Sequence, residues 1–217
     1  VSNVSGVRLP VRAIAEAARA RGLYVHLDGA QTWGAMALDL YDLGIDSYAA
    51  SAHKWYMGPK EVGLLYVAKR NHDRVWPAVI APGWGDGAAT DLVGARKFES
   101  LGQRDDAALA ALGVAAKLHD TIGATRMEAR ITQLTQRLKE GLTEAGLTLV
   151  TPMRADVSFG IGITRAPRDS VGAIVRSLYE DHGIAGAPTG GIRLCPHVYN
   201  SEEHIDRAVV AVRQLLA

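Results

Sequence analysis

Three short apolar runs set among helical patterns constrain this chain most. Leu23-Tyr24-Val25-His26-Leu27 stops at Asp28, Ser47-Tyr48-Ala49-Ala50-Ser51 follows, and Gly63-Leu64-Leu65-Tyr66-Val67 is the third. Runs of about five residues are too short for helices and read as buried strands. Ahead of them, Pro10 opens a helical pattern with Val11, Ile14, Ala15 and Ala18 on one face, and Gly22 closes it. Pro just inside a helix start and Gly just past its end is the expected asymmetry. Helix and strand in alternation predict an α/β sheet, mostly parallel, with helices covering its faces.

Beyond residue 80 the pattern changes. Ala81-Pro82-Gly83-Trp84-Gly85-Asp86-Gly87 has no period and reads as a functional loop or connector. Long helical patterns follow at about 105–119 and 126–145. Strand-like stretches at 147–150 and 157–164 meet a helix at about 169–182. A last helix starts near Asn200, with Asn200 and Glu203 resembling a capping box. This second half reads as an α+β domain, so the predicted boundary lies near residue 95, giving domains of 1–95 and 96–217.

Composition narrows the function. Of 217 residues, 48% are hydrophobic and the formal net charge is +1, which excludes a disordered chain. No run of about 18 apolar residues is present, so no transmembrane helix and no membrane partner are predicted. The small net charge gives no nucleic-acid footprint. One cysteine forms no internal disulfide, no C-x-x-C pair exists, and no histidine pair has metal-ligand spacing. There is no repeat, low-complexity tract or signal peptide, and the balance fits a cytoplasmic metabolic enzyme. A nucleotide-dependent oxidoreductase is disfavoured because no G-x-G-x-x-G fingerprint occurs.

Three segments carry chemistry: Asp28-Gly29-Ala30-Gln31, Ser51-Ala52-His53-Lys54-Trp55 and Gly191-Ile192-Arg193-Leu194. Asp28 ends an apolar strand, where open α/β sheets place ligands; read alone, Asp before Gly is as well a turn residue or helix cap. Lys54 also follows an apolar strand. A lysine in a partly dry pocket becomes a nucleophile toward carbonyls, whereas most lysines are simply solvated. Ser51 and His53 beside it are donors suited to a phosphate. A lysine and an acid on neighbouring strand ends suit pyridoxal phosphate, which needs an amine for its Schiff base and a carboxylate at its ring nitrogen. Trp33, Trp55, Trp76 and Trp84 read as packing, and His119, His182 and His204 as solvated or partly buried helix residues.

The stretch His26-Leu27-Asp28-Gly29-Ala30-Gln31, followed by Ser51-Ala52-His53-Lys54, resembles the class V aminotransferases among fold-type I pyridoxal-phosphate enzymes. Ser2-Asn3-Val4-Ser5-Gly6, Gly83-Trp84, Phe98-Glu99, Ile192-Arg193-Leu194 and Tyr199-Asn200 resemble further marks of that group, with the detail nearest the isopenicillin N epimerase-like branch. The resemblance implies a partial cofactor-binding large domain followed by a small C-terminal domain. It implies that Lys54 forms the Schiff base and shuttles a proton, and that Asp28 pairs with the ring nitrogen. Gln31 then meets the ring hydroxyl, and Ser51 and His53 meet the phosphate. Asn3 lies beside cofactor and substrate, and Arg193 grips the substrate carboxylate. An amino-acid substrate and a homodimer are implied, with epimerase, lyase or transaminase chemistry left open.

Three departures bear on that reading. Gly102-Gln103 stands where the group carries Gly-Thr, so Gln103 takes the place of a cross-subunit phosphate contact. Cys195, two residues after Arg193, stands where relatives carry a small hydroxyl residue, which disfavours a cysteine desulfurase. The chain begins at Val1, at the segment matching Ser2-Asn3, whereas the group has a long stretch before it. A C-terminal fragment, or a chain completed by another, is therefore expected, and the alternative to an enzyme is a non-catalytic module serving as a dimerisation unit.

Overall fold

The computed structural model describes residues 1–81, 94–99 and 102–216. The Gly83-Trp84 mark and most of the Gly-rich loop lie outside the described residues. The chain divides into two compact units, Pro10–Trp33 with Leu38–Thr121, and Val1–Leu9 with Gly34–Ala37 and Ile122–Ala217.

In the first unit, α1 (Val11–Arg19) leads to β1 (His26–Asp28), β2 (Ser47–Ser51) and β3 (Gly63–Val67). β2 is central. It pairs with β1 in parallel, Asp28 opposite Ala49, and with β3 antiparallel, Ser51 opposite Gly63. The second and third predicted strands form with the expected bounds. The first is shorter and later than the apolar run that predicted it. The Asp46 carboxylate explains this: its Oδ2 takes the Val25 N–H at 2.8 Å, leaving the ladder to start at His26. Ala15, Ile45, Tyr48 and Ala50 form the core, with Val11, Val25, Leu27 and Leu64 packed around it. α2 (Asp106–Ile122) follows two 3₁₀ turns, Lys69–Asn71 and Gly94–Phe98.

Asp46 binds this unit together. Its Oδ1 accepts Arg70 Nη2 at 2.7 Å and Asn71 Nδ2 at 2.7 Å, besides the Val25 N–H on its other oxygen. Burial alone would raise this carboxyl. The Val25 N–H, the Asn71 amide and the Arg70 guanidinium outweigh it and hold the group below the ordinary carboxylate value.

In the second unit, α3 (Ala124–Glu144), β4 (Gly162–Thr164), α4 (Val171–His182), β5 (Ile192–Leu194) and α5 (Glu202–Leu216) enclose one core. Met127, Ile131, Leu134, Leu138 and Leu142 fall on one face of α3 and are all buried. Leu134, Leu138 and Leu142 pack with Leu178, Ile192, Leu194, Ile205 and Val212. α3 and α5 touch closely enough that a Cβ on Gly141 would come 2.9 Å from Val209. β4 and β5 pair antiparallel, Ile163 opposite Arg193.

The predicted strands at 147–150 and 157–164 reduce to β4 and single bridges, Leu149 to Thr164 and Val7 to Ser158. Backbone bonds persist there, Val150 N–H to Ile163 O and Arg165 N–H to Thr148 O, both at 2.8 Å, while Thr151 Oγ1 takes the Ile163 N–H at 3.1 Å and Thr164 Oγ1 donates to Thr148 O at 3.0 Å. The cap of α5 is Ser201, one residue past the expected Asn200. Ser201 Oγ accepts the His204 N–H at 3.2 Å, and His204 Nδ1 accepts the Ser201 N–H at 3.3 Å. His204 thus does what Glu does in a capping box, and Asn200 instead accepts the His197 N–H at 2.8 Å.

The units cut across the division drawn at residue 95. The first nine residues pair with the second half: Arg8 N–H donates to Val157 O at 2.9 Å and Phe159 N–H to Gly6 O at 3.2 Å. Glu128 on α3 takes the Ala37 N–H at 3.0 Å, which binds residues 34–37 to the same unit.

Candidate active site

Asp28 and Lys54 leave the same end of the sheet. In a parallel pair both strands finish on one edge, the edge at which open α/β sheets bind ligands. Asp28 is the last residue of β1, and β2 ends at Ser51, three residues before Lys54. Both side chains are exposed. Asp28 Oδ1 accepts the Ala30 N–H at 2.8 Å, an Asx-type turn that fixes the carboxylate at the strand end.

The turn after Asp28 is shaped from below. Tyr48, the β2 neighbour of Leu27, is 2% exposed, and its ring lies under Gly29. A Cβ at Gly29 would stand 2.0 Å from the Tyr48 ring, so only glycine fits. The Tyr48 hydroxyl lies 2.9 Å from Thr32 Oγ1, and both reach the Gly29 carbonyl, Thr32 at 3.1 Å and Tyr48 at 3.3 Å. Burial pushes the Tyr48 hydroxyl up; the Thr32 hydroxyl opposes this and the Asp28 charge adds to it. The phenol therefore stays protonated and keeps its donor.

The lysine turn is as tightly made. Ala52 N–H donates to Val62 O and Gly58 N–H to Ala52 O, both at 2.8 Å, and Met57 N–H closes on Lys54 O at 3.1 Å. Met57 sits at φ 54°, a left-handed conformation uncommon for a side chain of its size. Trp55 is 5% exposed, and its indole N–H donates to Gln31 Oε1 at 2.9 Å. This bond ties the lysine turn to the acid turn. Tyr56 stacks between Trp33 at 4.1 Å and His119 at 4.2 Å, and His119 Nε2 lies 3.0 Å from Tyr56 O.

The predicted residues fall into two groups. Asp28, Gln31, Ser51, His53 and Lys54 share the first unit and one edge of its sheet, with Ser51 half-buried and His53 exposed. Gln103 is exposed in the same unit, three residues before α2. Asn3 and Arg193 belong to the second unit and meet there: Arg193 Nη1 donates to Asn3 O at 3.2 Å. Arg193 Nε is buried without a hydrogen-bond partner among the described residues.

Three side chains that shape these turns leave little trace in the sequence. Trp55 read as packing, yet it holds Gln31; its place beside Lys54 was the available signal. Tyr48 and Thr32 gave none beyond a polar tip in a buried strand and a hydroxyl near a glycine.

The aminotransferase class-V family model matches residues 1–207. The chain belongs to the class V aminotransferase family. Isopenicillin N epimerase of Streptomyces clavuligerus is 32% identical over 232 aligned residues, covering 99% of this chain and 58% of that protein. A cysteine desulfurase of Anaeromyxobacter sp. (strain Fw109-5) is 36% identical over 150 residues, 69% of this chain and 34% of that one. Among solved structures, the apo cysteine desulfurase of Thermococcus onnurineus NA1 superposes with a TM-score of 0.85 at 26% identity, covering all of this chain and 58% of that one. The chain thus spans a little over half the length of the epimerase and of the solved desulfurase. They are pyridoxal-phosphate-dependent, and the fold is the α/β fold of type I enzymes of that kind.

The donor set suits that cofactor. An exposed amine and an exposed carboxylate share one sheet edge, and the Gln31 amide oxygen is already engaged by the residue after the lysine.

Proposed function

We propose that the protein containing this chain is a pyridoxal-phosphate-dependent enzyme acting on an amino acid, with Lys54 as its Schiff-base lysine. The observation that supports this most is the emergence of Asp28 and Lys54 from one edge of the parallel β1–β2 pair. The cofactor, when bound, supplies a ring that accepts electrons from the substrate Cα.

The chain's own residues have distinct tasks in this proposal. The Asp28 carboxylate holds a proton at the ring nitrogen, since an opposite charge at close range favours the charged form of both partners. The Asx turn to Ala30 and the Gly29–Tyr48 contact keep that carboxylate in place. Lys54 Nζ would be the amine that holds the cofactor through its aldehyde, with loss of water, and once freed it would take and return the Cα proton. Ser51 and His53 would donate to the phosphate, and Gln103, in the exposed loop before α2, would meet the phosphate of the partner subunit's cofactor. Arg193 takes the substrate carboxylate, for which a guanidinium fork is well shaped, and Asn3 lies against it.

The likeness to isopenicillin N epimerase over nearly the whole chain favours removal and return of the Cα proton. A cysteine desulfurase is the second reading, favoured by the desulfurase relatives. Against it, the one cysteine, Cys195, lies directly after β5. A homodimer and a cytoplasmic location complete the proposal; no helix among the described residues is long and apolar enough to cross a membrane.

The test is exchange of the Cα proton in heavy water, measured by mass spectrometry for a panel of amino acids with added pyridoxal phosphate. Deuterium at Cα, abolished by Lys54→Ala, is the expected result. Exchange that survives Lys54→Ala would sink the assignment.

A further inference from the structure

Trp55 directly follows Lys54, and its indole Nε1 lies 2.9 Å from Gln31 Oε1. An indole nitrogen only donates, whereas a glutamine amide can donate or accept. The atom facing Trp55 must therefore be the amide oxygen, and a flipped amide would set donor against donor. The Gln31 NH₂ is the end turned away from the indole. Trp55 is 5% exposed, so its donor is costly to leave unmet and the orientation is firmly held. Gln31 sits three residues past Asp28, so the oriented NH₂ lies in the turn that carries the acid.

We propose that Trp55 is a positioning residue that commits Gln31 to donating, so that the site recognises an acceptor oxygen beside the Asp28–Lys54 pair. The inference rests on the cofactor reading above, in which that acceptor is the ring oxygen of pyridoxal phosphate. It adds what selects the polarity of the contact. It also explains why a tryptophan follows the lysine, where packing alone would accept any large apolar side chain.

The experiment titrates the full chain with pyridoxal phosphate and with its analogue lacking the ring hydroxyl by isothermal calorimetry, and for pyridoxal phosphate also follows the visible absorbance gained when the aldehyde condenses with an amine. Trp55→Phe keeps a ring and removes the donor. Gln31→Glu keeps an acceptor for the indole and removes the NH₂. Each is expected to weaken pyridoxal phosphate by about 3- to 10-fold, the worth of one hydrogen bond. The double variant is expected to be no weaker than the worse single one, and affinity for the deoxy analogue to be unchanged throughout. Without ligand, the Gln31 side-chain amide pair should be well dispersed in ¹⁵N-edited NMR spectra of the native chain and should collapse toward the solvent-exposed position in Trp55→Phe.

Equal weakening of both ligands by Trp55→Phe would make Trp55 merely structural and overturn the proposal. So would losses that multiply in the double variant, or an unchanged Gln31 amide signal. If the native chain gains no visible band at all, the cofactor reading fails, and the role of Trp55 with it. A native band with a neutral Trp55→Phe defeats the role of Trp55 alone.

Discussion

At the scale of single residues, the site depends on contacts too close to tolerate substitution. Gly29 is the sharpest case, because a methyl group there would stand 2.0 Å from the Tyr48 ring. Gly29→Ala is expected to cost about 1–3 kcal/mol, the usual range for overpacking, read as a fall in the urea midpoint. Tyr48→Phe should cost less, about 1 kcal/mol, for the hydrogen bond shared with Thr32. If Gly29→Ala proved neutral while Tyr48→Phe did not, the ring would not be what shapes the acid turn. The apolar runs in the sequence locate the strand ends at or after which Asp28 and Lys54 stand, whereas Gln31 was marked only by the family resemblance. What shapes them was not legible. Nothing in a linear pattern says that a tyrosine in β2 lies beneath a glycine after β1, since parallel register sets that contact.

At the scale of elements, buried polar groups set the boundaries. Asp46 delays β1 and clasps the 3₁₀ turn at 69–71. Its folded-state value is depressed, so the stability it confers is fully present above the unfolded carboxyl value, about 3.9. That stability is lost as pH falls through the lower folded value. Asp46→Asn should narrow the stability difference between pH 6 and pH 3, as followed by urea unfolding, and a variant with the native pH dependence would contradict this account.

Lys139 on α3 plays a like part in the second unit. Its side chain is 2% exposed, and its Nζ donates to Pro152 O, Met153 O and Ser158 Oγ at 3.2, 2.9 and 2.9 Å. Lys139→Met should destabilise by about 1–3 kcal/mol, because it orphans two carbonyls. Burial lowers the Lys139 ammonium value. The native chain should therefore gain stability relative to Lys139→Met as pH rises from the folded value toward the unfolded one near 10.4. Long helices were legible from their 3.6-residue period, as α3 shows. The stretches at 147–150 and 157–161 form only single bridges, and next to the first of them the Thr151 hydroxyl, not a carbonyl, takes the Ile163 N–H.

At the scale of the whole molecule, the apolar period located α2, α3, α4 and α5 well but not the grouping of segments. Residues 1–9 and 34–37 join the second unit through backbone pairing and through Glu128, and neither leaves a periodic trace. The homodimer proposal predicts a doubled mass in light scattering at micromolar concentration, and a stable monomer there would count against it.

Lys54 is proposed as the lysine that bonds the cofactor. Incubation with pyridoxal phosphate, borohydride reduction and peptide mass spectrometry test it directly. A reduced pyridoxyl adduct is expected on Lys54 in preference to Lys60, Lys69, Lys97, Lys117 and Lys139. An adduct spread evenly over the lysines, or concentrated on one of the others, would contradict it.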